Sequence, residues 1–168
     1  MRANTKKLTL LSIMCAAAMV LSFVETLFPP IYPAVPGIKM GLPNIIIIFT
    51  LYKFSLKSAA AVSLIRVFAV SLLFGNPMTF VYSLAGAVLS LTIMAILKKI
   101  DIFSTVGVSV AGAVFHNLGQ IIVAIFVLQT IQIGYYMIIL SISGIFAGIL
   151  IGLTAAILLK RTEKSKIC

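Results

Sequence analysis

Apolar residues in this chain come in long, almost uncharged blocks, at about 8–27, 38–52, 58–74, 78–97, 103–128 and 134–159. A helix needs about 20 apolar residues to cross a hydrocarbon core of about 30 Å, and somewhat fewer where the bilayer thins. The pattern therefore predicts six transmembrane helices. The second block is short and contains Pro43, which predicts a tilted, kinked or partly re-entrant element. Between the first two blocks lies "FPPIYPAVPGIK", a proline-rich connection. The third and fourth blocks are joined by "GNP", and the fifth and sixth by "QTIQIG".

Composition supports this reading. Of 168 residues, 62% are hydrophobic and only 10% are charged, with a mean hydropathy of +1.24. A water-soluble domain needs more polar material than that to cover its core. The fold class expected is an all-α integral membrane protein, organised as one transmembrane domain over residues 1–168, since no polar stretch is long enough for a second unit. The basic start and apolar run of the N-terminus have the look of a signal peptide. The run is too long for a typical h-region and no small-x-small site precedes Glu25, so a retained helix is expected.

The net charge of +10 belongs to the connections. Arg2, Lys6 and Lys7 precede the first helix, Lys53 and Lys57 follow the second, and Lys98 and Lys99 follow the fourth. Lys160, Arg161, Lys164 and Lys166 follow the sixth. Six spans put all of these on one side, which the positive-inside rule makes the cytoplasm, with both termini there. The three connections of the other side carry only Lys39. Basic residues so placed serve as topology signals and contacts for anionic lipid, and give no nucleic-acid surface.

Apart from Lys39 at the edge of the second block, the acidic, basic and histidine residues within the helices are Glu25, Arg66 and His116. A charge at mid-membrane costs from about 3 kcal/mol upward, so such residues face a cavity or one another. Glu25 and Arg66 are expected to share an interior site, as handles for a polar ligand or as a pair that fixes helix packing. In "FHNLGQ", His116 and Gln120 are four apart on one helical face, with Asn117 beside them. That stripe either lines a site or hydrogen-bonds between helices. Asn44 and Asn76 complete the candidate ligand contacts. Gly144, Gly148, Gly152 and Ala156 form a small-residue ridge on the sixth helix, and Ser12, Ala16, Ala17, Ala18 and Ser22 form strips on the first. Such ridges pack within the protein or dock a partner helix. Tyr32, Tyr135 and Tyr136 suit interfacial anchoring.

Other chemistry is missing. No GxxxxGK[ST] phosphate loop occurs, so the chain does not drive itself with ATP. The acids number three, too few for an aspartate-rich magnesium site, and no nucleophile–base pair stands out. Cys15 and Cys168 form neither a disulfide framework nor a metal-ligand spacing, and a lone histidine argues against zinc. No catalytic residue, metal or cofactor is expected.

The segments "LSFVETLFPP", "PGIKMGLPNIIIIFTLY", "RVFAVSLLFGNP" and "GAVFHNLGQ", in that order, resemble the Gx transporter family. These are bacterial membrane proteins labelled heptaprenyl diphosphate synthase component I, and the resemblance covers nearly the whole chain. That family looks related to the substrate-binding S components of energy-coupling factor (ECF) transporters. The resemblance implies a six-helix S-component-like bundle in the bacterial cytoplasmic membrane. It also implies a small-molecule substrate, vitamin-like or related to prenyl and quinone compounds, and partners consisting of a transmembrane T subunit and two ATPases. The connection at 28–39 would cover the substrate site, and Ser12, Ala16, Ala17 and Ala18 would meet the T subunit. Ser12 stands where the family's strip has alanine. The alternative implied by the label is a noncatalytic membrane component of heptaprenyl diphosphate synthesis.

Overall fold

A computed structural model describes residues 2–27 and 41–164. Among these the chain forms six α-helices and no strand: α1 Arg2–Leu27, α2 Asn44–Lys53, α3 Leu56–Phe74, α4 Pro77–Ile100, α5 Thr105–Leu128 and α6 Tyr136–Lys164. A 3₁₀ turn, Ile131–Tyr135, leads into α6. Five of these segments are long and apolar enough to cross a membrane; α2 is shorter. The chain is thus a multi-pass, all-α membrane protein.

Local chemistry sets the helix ends. Ser55 caps α3 by accepting the Ser58 N–H at 3.2 Å, and Ser104 caps α5 through the Gly107 N–H at 3.2 Å. Asn76 Oδ1 accepts the Thr79 N–H at 2.8 Å and the Thr79 hydroxyl at 3.1 Å, while Pro77 supplies a preset first helical residue to α4. Asp101 and Gln129, both left-handed, stop α4 and α5.

The second helix differs from its sequence-based expectation. It begins at Asn44 rather than near residue 38, and Pro43 stands just before its first residue, so the proline starts the helix instead of kinking it. Residues 38–40 lie outside the described residues. Ten residues at 1.5 Å each make α2 about 15 Å long, half the thickness of a hydrocarbon core.

This half-length helix is central. It packs on α1, α3 and α6, and seven of its ten residues are buried. Around it α1 packs on α3, α3 on α4, α4 on α5 and α5 on α6. The α5–α6 contact is close because the glycine ridge of α6 lies against α5. A Cβ at Gly148 would fall 2.6 Å from Val110 Cα, and one at Gly152 would fall 2.7 Å from Val106 Cα. That ridge therefore packs within the protein.

Two apolar clusters bracket the interior. One gathers Ala18, Ile46, Ile47, Ile48, Leu51, Ala59, Val62, Met94, Val108, Ile151 and Ala155, drawing on all six helices. The other gathers Tyr82, Ile121, Ala124, Ile133 and Leu140 at the opposite end of α4, α5 and α6. Lys53, Lys57, Lys98, Lys99, Lys160 and Arg161 lie beyond the first cluster. Lys98 Nζ donates to Leu51 O at 2.7 Å and lies 5.0 Å over the Tyr52 ring, and Lys53 Nζ reaches Thr162 O at 3.5 Å. These bonds fix the C-terminal end of α2 at the basic end of the bundle. Its N-terminal end then stands at mid-depth, between the two apolar clusters.

Candidate functional site

At that depth the interior turns polar. Ser22, Glu25, Asn44, Arg66, Ser90, His116, Asn117 and Gln120 are all buried there. Arg66 is the eleventh of the nineteen residues of α3 and is 6% exposed. Its Nη1 donates to Ser22 Oγ at 3.4 Å, and the Ser22 hydroxyl donates in turn to Ala18 O at 2.9 Å. Its Nε and Nη2 have no hydrogen-bond partner among the described residues.

Glu25 lies one turn beyond Ser22 on the same face of α1 and within electrostatic reach of Arg66. The carboxylate is not clamped two-pronged by the guanidinium, since only Nη1 is hydrogen-bonded; it accepts the N–H of Gly41. Gly41 has φ +83°, a left-handed conformation open to glycine at little cost. A Cβ there would lie 3.0 Å from Asn44 Nδ2 and 3.9 Å from His116 Cδ2. Glu25, Gly41, Asn44 and His116 therefore meet around the start of α2.

On the far side the His116 ring fits against Gly86 of α4, where a Cβ would lie 2.9 Å from His116 Cε1 and 2.9 Å from its carbonyl oxygen. Gln120, one turn along α5, is wholly buried with neither amide atom hydrogen-bonded among the described residues, and the same holds for Asn44 Nδ2 and Ser90 Oγ. Hydrogen bonds thus link α3 to α1 through Arg66 and Ser22, and α1 to the start of α2 through Glu25 and Gly41, with His116 of α5 beside Gly41.

The structure sorts the residues expected from sequence. Glu25, Asn44, Arg66, His116 and Gln120 fall in this layer. Asn117 is buried too, but its Nδ2 donates to Leu140 O at 2.8 Å and ties α5 to α6. Asn76 lies apart from it: it is exposed, and its side chain is used as the cap of α4. On α1, Ser12 and Ala16 face outward and Ala17 is half-buried, whereas Ala18 is fully buried and so closed to a partner. The connection at 28–39 expected to cover the site, with Tyr32, lies outside the described residues. Sequence reading assigned Ser22 to a packing strip and passed over Gly41 and Gly86. Their roles come from contacts with Arg66, Glu25 and His116, residues distant in sequence.

Among the described residues no group of three or more His, Cys, Asp or Glu could hold a metal ion. An apolar groove of about 420 Å³ opens between α3 and α4, lined by Leu56, Ala60, Ser63, Ala87 and Leu91 among others. It reaches α3 one turn from Arg66, at Ser63.

Fold and interior together define a multi-pass α-helical membrane protein with a buried polar layer at mid-depth. The family model described as heptaprenyl diphosphate synthase component I matches residues 14–158, and the chain belongs to that family. The family's name implies a further component of the synthase as a partner. No curated protein and no solved structure matches the chain.

Proposed function

We propose that the chain is a ligand-capturing membrane subunit, the S component of an ECF-type importer for a small vitamin-like or prenyl- or quinone-related compound. The observation that carries this reading is the guanidinium of Arg66, buried at mid-depth with two nitrogens unpaired among the described residues. Leaving a buried donor unsatisfied costs about 1–3 kcal/mol, and more for a charged group, so such an arrangement is maintained where a ligand completes it. Glu25 is a positioning residue in this scheme, holding the start of α2 through Gly41. Asn44, His116 and Gln120 supply further polar wall. The chain forms one transmembrane domain in the bacterial cytoplasmic membrane, both termini cytoplasmic. A T subunit and two ATPases complete the importer, because the sequence has no phosphate loop of its own. The outward small residues Ser12 and Ala16, with Ala17 at their edge, offer the T subunit a close approach.

The family description favours a second reading, a noncatalytic component I of heptaprenyl diphosphate synthase that serves a separate catalytic component. One purification separates the two. The tagged chain is isolated from its native membrane, its protein partners are identified, and native mass spectrometry records any retained small molecule. Recovery of a T subunit with ATPases, together with a small molecule lost in Arg66→Lys, is the expected result. Recovery of a soluble prenyl synthase instead would establish the second reading.

A further inference from the structure

We infer that the ligand of the mid-depth site presents an oxyanion, a carboxylate or phosphate, to Arg66; this rests on the capture reading above and names its substrate class. The unpaired nitrogens of Arg66 are not an arbitrary two. Nε and Nη2 lie along one edge of the planar guanidinium, with their N–H bonds parallel, while Nη1 on the other side is held by Ser22. Two parallel donors at fixed spacing match the two oxygens of a carboxylate or phosphate, the two-pronged geometry in which arginine differs from lysine.

The surroundings agree in sign. Asn44, 7% exposed, holds Nδ2 unpaired at the first residue of α2. The amides of that first turn are already bonded, Asn44 N to Gly41 O at 2.9 Å and Ile45 N to Leu42 O at 3.2 Å. The helix therefore contributes the positive end of its dipole rather than open N–H groups. The nearby carboxylate, Glu25, is occupied by the Gly41 N–H. Its charge offsets that of Arg66 across space and leaves the guanidinium edge for a second acceptor. A cationic ligand would meet Arg66 and the start of α2 with like charge. A neutral alcohol would fill one of the two parallel donors.

Depth bears on the source of the oxyanion. The start of α2 stands about 15 Å from the basic end, below the level of lipid headgroups, which favours a free small molecule over a phospholipid phosphate. The chemistry is shared, so the test separates the sources.

The full-length protein is purified in a zwitterionic detergent and melted with benzoate, phenyl phosphate, benzamide or benzylamine at equal concentration. Retained lipid is identified by mass spectrometry. Benzoate or phenyl phosphate is expected to raise the melting temperature more than benzamide, and benzylamine to leave it unchanged. Arg66→Lys should weaken the oxyanion effect about tenfold or more in the concentration required. Asn44→Asp is the second variant: its new buried charge beside Glu25 lowers unliganded melting, so the shift is read against the variant's own unliganded value, and repulsion of the oxyanion should remove that shift. Retention of an anionic phospholipid by the wild type but not by Asn44→Asp, without any effect of the free anions, would uphold the oxyanion site and overturn small-molecule capture. A larger shift with benzamide or benzylamine, lost in Arg66→Lys, would overturn the oxyanion and leave the ligand site standing. Absence of both a probe effect and a retained lipid would overturn both.

Discussion

Gly86 and His116 show how little slack the polar layer has. A methyl group at Gly86 would meet both the His116 ring and the His116 carbonyl oxygen at 2.9 Å, and the second of these is backbone that cannot rotate away. Gly86→Ala is expected to destabilise the protein by about 1–3 kcal/mol, the range for overpacking a well-filled interior. Adding His116→Ala should relieve only part of that loss, measured by thermal unfolding in detergent. Full rescue would mean that the ring alone sets the fit. Asn117→Leu should cost about 1 kcal/mol, because it removes one interhelical hydrogen bond to Leu140 O. Arg66 is legible in the sequence since a permanent charge inside an apolar run needs a reason. Ser22 and Gly41 are not: Ser22 meets Arg66 across 44 residues of sequence, and Gly41 meets Glu25 across 16. Asn76 is the opposite case. A polar side chain beside a helix start has a local use as a cap, and the Asn-Pro pair at 76–77 carries that signal more strongly than any ligand role.

The decisive element is α2. Its apolar string at 45–48 announces a buried helix, yet its length could not be read from hydropathy, because Pro43 suits a helix start as well as a kink. What holds so short a helix at one end is a pair of lysines on carbonyls, and they are unequal. Lys98 bonds Leu51 O at 2.7 Å and lies over Tyr52, whereas Lys53 reaches Thr162 O at 3.5 Å. Lys98→Met is expected to destabilise by about 1–2 kcal/mol and Lys53→Met by less, with faster amide exchange at the C-terminal turn of α2 in the former. Equal effects would mean that neither bond anchors the helix. At the other end, Gly41→Ala forces a Cβ into a left-handed residue and toward Asn44 Nδ2 at 3.0 Å, so a loss of about 1–2 kcal/mol is expected. The ridge on α6 was legible as a close-packing surface from its four-residue spacing. Only the structure identifies α5 as the helix it meets.

At the scale of the whole molecule, block hydropathy and the distribution of lysine and arginine carry most of the architecture. Helix number and order follow from them, while the half-length of α2 and its central place do not, since both depend on which helices share a core. With α1 leading away from the basic end and α6 returning to it, the basic connections are expected on one face of the membrane. A cysteine at Lys57 and one at Ile131, in the exposed turn before α6, should react with a membrane-impermeant reagent from opposite sides. Reaction of both from the same side would contradict the six-helix topology. Retention of a ligand depends on the layer between the two apolar clusters, and there one measurement is the most direct. A high-resolution structure of the protein purified without ligand exchange should show density within hydrogen-bond distance of both Arg66 Nε and Nη2 and extending toward Asn44. Nε and Nη2 bonded instead to the Glu25 carboxylate, with no density between the helices, would reduce the site to a structural pair and contradict its role in capture.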